Sequence, residues 1–221
     1  MNKGHDLGGQ TGLGAIPLAH ERDEAVFRTT WEARVFALTT AVEYLDKWNL
    51  DQARDAIENQ RPDQYSENSY YENWLLGLEK LLIKTGLVTA EELETCVADV
   101  KPGSREIAPL RVEQVENYIY CNYPNPIDNQ PPARFKTGDN VTAVNIASKG
   151  HTRLPGYVQG KRGVICHQQG VHALPDQNAL GITFLEHLYS VCFSANEIWG
   201  THDDQRFSVS VDLWESYLKP T

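Results

Sequence analysis

The sequence predicts an α+β fold: an extended N-terminal arm and a helical domain over residues 1–125, then a small β-barrel over residues 126–221. Three observations carry this reading. The spacing of apolar residues changes near residue 125, from three-and-four to two. A proline-rich stretch, Tyr123-Pro124-Asn125-Pro126 through Gln130-Pro131-Pro132, marks the change and denies hydrogen bonds to helix and sheet alike, as a linker does. The composition is that of a globular protein: 221 residues, 41% hydrophobic and 23% charged, long enough for one large domain or two small ones.

The helical half is read from caps and stripes. Asp23 is placed to cap a helix beginning near Glu24, and Phe27, Trp31, Val35, Leu38, Val42 and Leu45 then recur as one apolar stripe. Phe36 lies off that stripe, which suits either a broader buried face or contact with another subunit. Asn49 caps a short helix, Leu50 to Gln60, closed by Pro62. Another helix is expected from about Asn68 to Lys84, stopping at Gly86. Thr89-Ala90-Glu91-Glu92 is a capping box opening a further helix, and Arg111 to Tyr120 is a last candidate.

The second half carries strand signals. Phe135 to Val141 reads as a turn feeding a strand that runs through Val144, and Gly160 to Ile165 as a turn and a second strand. Tyr189, Val191 and Phe193 alternate onto one face, as do Val209, Val211 and Leu213. Several short strands in about 90 residues suit a small barrel, because closure removes exposed edges.

Charge and cysteines exclude several functions. The formal charge is −10, from 30 acids against 20 Lys and Arg. No basic cluster exceeds Lys161-Arg162, so neither nucleic acid nor an acidic membrane surface is an expected partner. No apolar run approaches a membrane span, and Met1 to Gly14 lacks the basic start and apolar stretch of a signal peptide. A cytoplasmic protein with reduced thiols is expected. Cys96, Cys121, Cys166 and Cys192 form no Cys-x-x-Cys pair, so no metal site is expected in this chain. Gly-x-Ser-x-Gly, His-Glu-x-x-His and P-loop signatures are absent. The glycine-rich Gly8 to Gly14 has no strand before it and no Lys-Ser/Thr after it, and is expected to be an extended arm lying on another surface.

Three features invite chemistry. Arg54 borders the apolar stripe Leu50, Ala53 and Ile57 and needs an anionic partner; Glu58, one turn on, is available. A pair of this kind on an exposed helix face contributes only about 0.3–0.5 kcal/mol. Tyr70-Tyr71 and Trp74 open a helix, where aromatic residues fill a core or face a polar pocket with a hydroxyl. Gly150-His151-Thr152-Arg153 falls in a loop between two strands, and loops carry function more often than strands do.

Taken in order, these segments resemble the nitrile hydratase beta subunit. The resemblance rests on His5-Asp6-Leu7-Gly8-Gly9 and Gly12-Leu13-Gly14; on Phe27-Arg28 with Trp31-Glu32; and on Leu50-Asp51, Arg54, Ile57-Glu58, Pro62, Tyr65 and Tyr70-Tyr71. In the second half it rests on Gly150-His151-Thr152-Arg153, Tyr157, Gly160-Lys161 and Gly163, then Tyr189, Val191, Phe193, Ile198-Trp199-Gly200, Glu215, Tyr217 and Leu218. Each motif is moderately specific; the ordered set is highly specific.

The resemblance implies an SH3-like form for the barrel and an enzyme, a lyase that hydrates nitriles to amides only in complex with an alpha subunit, as an α2β2 heterotetramer. It implies Fe(III) or Co(III) in that partner, on a Cys-x-x-Cys-Ser-Cys claw with two oxidised cysteines, and no cofactor on this chain. Arg54 and Arg153 match the arginines that hydrogen-bond the claw's oxidised sulfurs. Tyr70 matches a pocket wall with a catalytic hydroxyl, Leu50, Tyr71 and Trp74 match substrate-pocket positions, Glu58 matches a carboxylate in a proton network, and His151 stands beside Arg153 in a supporting place. Asn73 stands where some members carry a histidine of that network, and Gln159 replaces an arginine. Two neighbouring readings are a thiocyanate hydrolase subunit, in which the two halves are divided between chains, and a maturation protein or metallochaperone, which need not keep both arginines and the tyrosines. The halves here are continuous, and all those residues are present.

Overall fold

A computed structural model describes residues 4–9, 11–15, 25–99, 107–120, 132–147, 150–200 and 207–221. The chain divides into two compact units: Leu13–Asn125, and Met1–Gly12 together with Pro126–Thr221.

The first unit is helical: α1 (Thr30–Glu43), α2 (Leu50–Glu58), α3 (Pro62–Glu67), α4 (Tyr70–Lys84), α5 (Ala90–Thr95) and α6 (Val112–Tyr120). Local chemistry sets the boundaries. The Glu32 carboxylate accepts from the N–H groups of Arg28 and Thr29, so α1 begins at Thr30 and not near residue 24. The Asp23 cap lies outside the described residues, as does the linker from Tyr123 to Pro132 except for its last residue. Asn49 Oδ1 accepts from the N–H groups of Asp51 and Gln52 and starts α2 as expected. Pro62 does more than close α2: it takes the first position of α3, where its missing N–H costs nothing. That helix escaped the apolar pattern because its six residues are nearly all polar. Gly86, at φ +69°, ends the α4 region as its sequence position suggests.

The apolar stripe of α1 is only partly buried. Val35 is enclosed, whereas Trp31 and Leu38 are 38% and 52% exposed. The unit's core (Trp48, Ala53, Leu78 and Leu81, flanked by Val42, Ala56, Leu82 and Leu87) comes mainly from α2 and α4, so α1 has more apolar surface than these neighbours can cover. Gly77 on α4 allows the close approach of α2. A Cβ there would lie 2.5 Å from Ile57 Cγ1 and 3.2 Å from the Ile57 backbone. Gly77→Ala is therefore expected to destabilise the protein by about 1–3 kcal/mol through overpacking; an unchanged thermal midpoint would show that the helices can part freely.

The second unit is an antiparallel sheet of β1 (Asn140–Ala143), β2 (Arg162–Ala173), β3 (Leu185–Ser194), β4 (Ser208–Trp214) and β5 (Leu218–Pro220), with short helices α7 (Pro175–Asn178) and α8 (Ala195–Trp199). Its order is β4-β3-β2-β1-β5. The sheet is not closed: β4 and β5 are its edges, and no register joins them among the described residues. β5 is three residues long and ends in Pro220, which has no N–H for a further ladder. β2 runs past the expected Ile165, with register shifts at Ile165/His167 and Gln168/Gly170. The polar run His167-Gln168-Gln169 hid that extension from the period-two pattern. Tyr189, Val191 and Phe193 do share one face and are fully enclosed, together with Val141, Ala143, Ile165 and Leu213.

Candidate functional site

The predicted site residues fall on both units. In the helical unit, Arg54 sits on α2 and its Nη1 donates to Asp51 Oδ1 at 3.3 Å. The partner is thus Asp51, one turn before, and not the anticipated Glu58. Asp51 itself is buried, its side chain 7% exposed, while the Arg54 side chain remains 40% exposed. One carboxylate occupies part of a five-donor fork, and the rest of the guanidinium is free to reach outward. Glu58 is buried on the same helix. Asn73 is used structurally. Its Oδ1 accepts from Asn68 Nδ2 at 3.1 Å and its Nδ2 donates to the Tyr65 carbonyl at 3.0 Å. The amide ties α3 to α4, and it cannot titrate.

Five aromatic rings gather in this unit. Tyr71 lies 5.5 Å from Phe27, 5.1 Å from Tyr70 and 5.8 Å from Trp74; Phe36 lies 5.7 Å from Phe27 and 6.3 Å from Trp74. Such tilted and edge-on pairs are favoured by the ring quadrupole. Burial, with the nearby Tyr70 and Glu32, raises the Tyr71 hydroxyl above its ordinary range. Phe36, the residue off the stripe, is shared between both readings: it packs on Phe27 and Trp74 and is still 39% exposed. Tyr70 and Leu50 are 66% and 61% exposed, so neither serves this unit's own core.

In the sheet unit, Arg153 lies in the loop between β1 and β2, beside buried His151. A buried hydroxyl organises the loop. Tyr217 OH accepts from Thr152 Oγ1 and from the Arg153 N–H, both at 3.3 Å, and donates to Asp176 Oδ2 in a short bond. Burial, and then the Asp176 carboxylate, raise the Tyr217 phenol above its usual range. Tyr189, buried beneath the sheet, behaves likewise; its hydroxyl donates to Glu215 Oε2 at 2.6 Å. Gln159 Oε1 accepts from the Ile146 N–H at 3.2 Å and closes the same loop.

The N-terminal arm meets this loop, so the surface it lies on belongs to its own chain. The Gly156 N–H donates to both Asp6 carboxylate oxygens, at 3.2 and 3.0 Å. Gly8 lies flat on the Tyr157 ring, where a Cβ would come within 2.4 Å of Cδ1, and Tyr157 stacks on Trp199 at 6.3 Å. Between arm and loop is a cleft of about 480 Å³ lined by His5, Asp6, Gly8, Thr152, Arg153 and Tyr157, among others.

Because both phenols are raised in the folded state, each contributes stability that is complete below the ordinary tyrosine pKa, about 10, and is lost as pH rises through the higher folded value. A melting series from neutral to strongly alkaline pH should therefore fall on the alkaline side, and less steeply in Tyr189→Phe. An identical slope in that variant would contradict the role given to the hydroxyl.

Sequence reasoning named Asp51 and Asp6 only within motifs, without the contacts they make, and missed Asp176. Asp51 was legible as an i, i+3 partner of Arg54. Asp176 lies 41 residues from Tyr217, and no local pattern links them. Among the described residues, no group of three or more His, Cys, Asp or Glu is arranged to hold a metal, and no helix is long and apolar enough to cross a membrane.

Comparison with known proteins places both units. The family model for the N-terminal part of the nitrile hydratase beta subunit matches residues 1–117, and that for its C-terminal part matches residues 124–220. The cobalt-containing nitrile hydratase subunit beta of Pseudonocardia thermophila is 35% identical over 226 residues, spanning 99% of this chain and 96% of its own. The low-molecular weight cobalt-containing nitrile hydratase subunit beta of Rhodococcus rhodochrous is 36% identical, spanning 98% of both chains. The nitrile hydratase subunit beta of Pseudomonas putida is 34% identical and spans both chains fully. A solved thiocyanate hydrolase from Thiobacillus thioparus, a recombinant apo-enzyme, aligns with 41% of this chain and 78% of its own at 22% identity and a TM-score of 0.39, too slight a likeness to bear on function. Matched along its whole length by both halves of one family, in order, the chain belongs to the nitrile hydratase beta-subunit family.

Proposed function

We propose that this chain completes a nitrile hydratase, hydrating nitriles to amides in complex with a metal-bearing alpha subunit, as an α2β2 assembly in the cytoplasm. The observation that carries this is the set of side chains left uncovered on the helical unit. Leu50 at 61%, Tyr70 at 66% and the Arg54 side chain at 40% exposure all match site positions of the family, and none is used up by the chain's own core. In the same reading, the open five-stranded sheet is a partly closed SH3-like barrel, and the domains divide near residue 125.

The partner's metal, when bound, supplies Lewis acidity toward nitrile or water. The names of two relatives favour cobalt over iron. This chain contributes the rest of the site. Arg54 and Arg153 offer planar forks, permanently charged, to the negatively charged oxygens of the partner's oxidised cysteines. Asp51 fixes one face of the Arg54 fork, and Tyr217 fixes the backbone from which Arg153 extends. Tyr70 presents a hydroxyl that orients nitrile or amide, with Leu50, Tyr71 and Trp74 as its apolar surround. Glu58 is a buried carboxylate on the same helix as Arg54, and His151 is buried two residues before Arg153. A proton path from Glu58 does not pass through Asn73, whose amide is committed to Asn68 and Tyr65.

The test is co-expression with an alpha subunit bearing the cysteine claw, followed by metal analysis and assay of amide formation. Amide production by the purified pair is expected. A well-formed complex without turnover would favour a maturation protein instead.

A further inference from the structure

Cys166 and Cys192 belong to neither candidate site, yet the sheet brings them together. Val164 pairs with Cys192 and Ile165 with Val191, and then the register shifts so that His167 pairs with Ser190. Cys166 is thus the extra residue of a bulge, diagonal to Cys192 on the neighbouring strand, where a bulge increases the local twist. Ile165, Val191 and Phe193 point into the core. Side chains alternate along a strand, so Cys166 and Cys192 project from the other face of the sheet. Both are half-buried there, and both are free thiols. Burial, and then the Cys192 side chain, raise the Cys166 thiol above its ordinary value. A disulfide needs its two Cα atoms within about 7 Å. Directly opposed residues on adjacent strands lie about 5 Å apart and diagonal ones about 7–8 Å. This pair therefore stands at the limit of reach, and the bulge, which bends and twists β2 locally, is what closes the remaining gap.

We propose that Cys166 and Cys192 are a reversible dithiol–disulfide site that clamps β2 to β3 at the bulge. The oxidant is a small disulfide of the glutathione type. One cysteine attacks it as the thiolate: the oxidant's S–S bond breaks, a mixed disulfide forms, and one small thiol leaves. The second cysteine then attacks the protein sulfur of that mixed disulfide. The Cys166–Cys192 bond forms, the second small thiol departs, and the two protein protons end on the two released thiols. The protein pair loses two electrons and the small disulfide gains them. Cys96, exposed on the helical unit without a neighbouring cysteine among the described residues, serves as an internal control.

The test uses the full native chain, treated with oxidised glutathione or with reductant, alkylated, digested without reduction and mapped by mass spectrometry. Cys166 and Cys192 should lose alkylation together and appear in one cross-linked species, lighter by two hydrogens, that reductant reverses. Cys96 should instead stay alkylated or carry glutathione. Cys166→Ser should leave Cys192 alkylated or glutathione-bound, and Cys192→Ser should do the same for Cys166. The proposal is overturned if both cysteines keep their full alkylation after oxidation, if each carries a separate glutathione, or if the linkage forms only in denaturant.

Discussion

Arg153→Lys in the assembled enzyme is expected to lower turnover by about tenfold to a hundredfold, with the protein still folded. Arginine and lysine carry the same charge, so this variant isolates geometry. A guanidinium places parallel N–H groups against two oxygens at once, whereas an ammonium is a point charge on a flexible stem. Losing one charge-assisted bond costs about 1.5–3 kcal/mol, and each 1.36 kcal/mol is about a factor of ten in rate. The fold itself should tolerate the change, because the loop is held by the Arg153 backbone N–H, which lysine retains. Arg54→Lys should behave alike. Its bond to Asp51 joins a side chain 40% exposed to a buried one, so solvent screening limits the stability at stake to about 0.5 kcal/mol. Steady-state kinetics beside a thermal melt separates the two effects. Full turnover with the native metal absorption in both variants would remove the arginines from the site.

Tyr217→Phe is expected to affect both stability and activity. It deletes one oxygen that accepts from Thr152 and Arg153 and donates to Asp176. The backbone N–H of Arg153 and the Asp176 carboxylate each lose a partner in a partly buried setting, at a cost of about 1–3 kcal/mol. Lower stability should therefore appear as an earlier thermal midpoint. A loosened loop should also reduce turnover at saturating nitrile, because Arg153 is then held less firmly where it is needed. Melting together with kcat measurement checks this. A variant matching the parent in both would show that the loop is held by other contacts.

What could be read from the sequence follows the range of the interactions involved. Caps are local, so Asn49 and Thr89 marked their helix starts correctly, and the Ser69 cap stands within a residue of the start expected near Asn68. Alternation on β3 and β4 is also local, and Tyr189, Val191, Phe193 and Leu213 are buried as their spacing implies. Sheet closure is not local. Several short strands suggested a barrel, but whether β4 meets β5 depends on curvature that no residue pattern encodes, and the three-residue β5 does not reach it. The stripe of α1 was legible as apolar but not as uncovered, since coverage depends on what packs against it. At the site, Arg54 stood out because an arginine beside an apolar stripe is unusual. Its partner was misassigned because Asp51 and Glu58 are similarly spaced candidates on either side. The support for Arg153 was out of reach, because Tyr217 and Asp176 come from distant parts of the chain.

The central claim is that this chain contributes two arginines to a site whose metal belongs to another subunit. Nitrile hydration measured at matched metal content tests it most directly, using the alpha subunit alone, the alpha subunit with this chain, and the alpha subunit with the Arg54→Lys/Arg153→Lys double variant. Full turnover is expected only with the unmodified chain, and turnover lowered by at least about a hundredfold with the double variant. Equal turnover by the unmodified and double-variant complexes, with the same metal content and assembly, would contradict it.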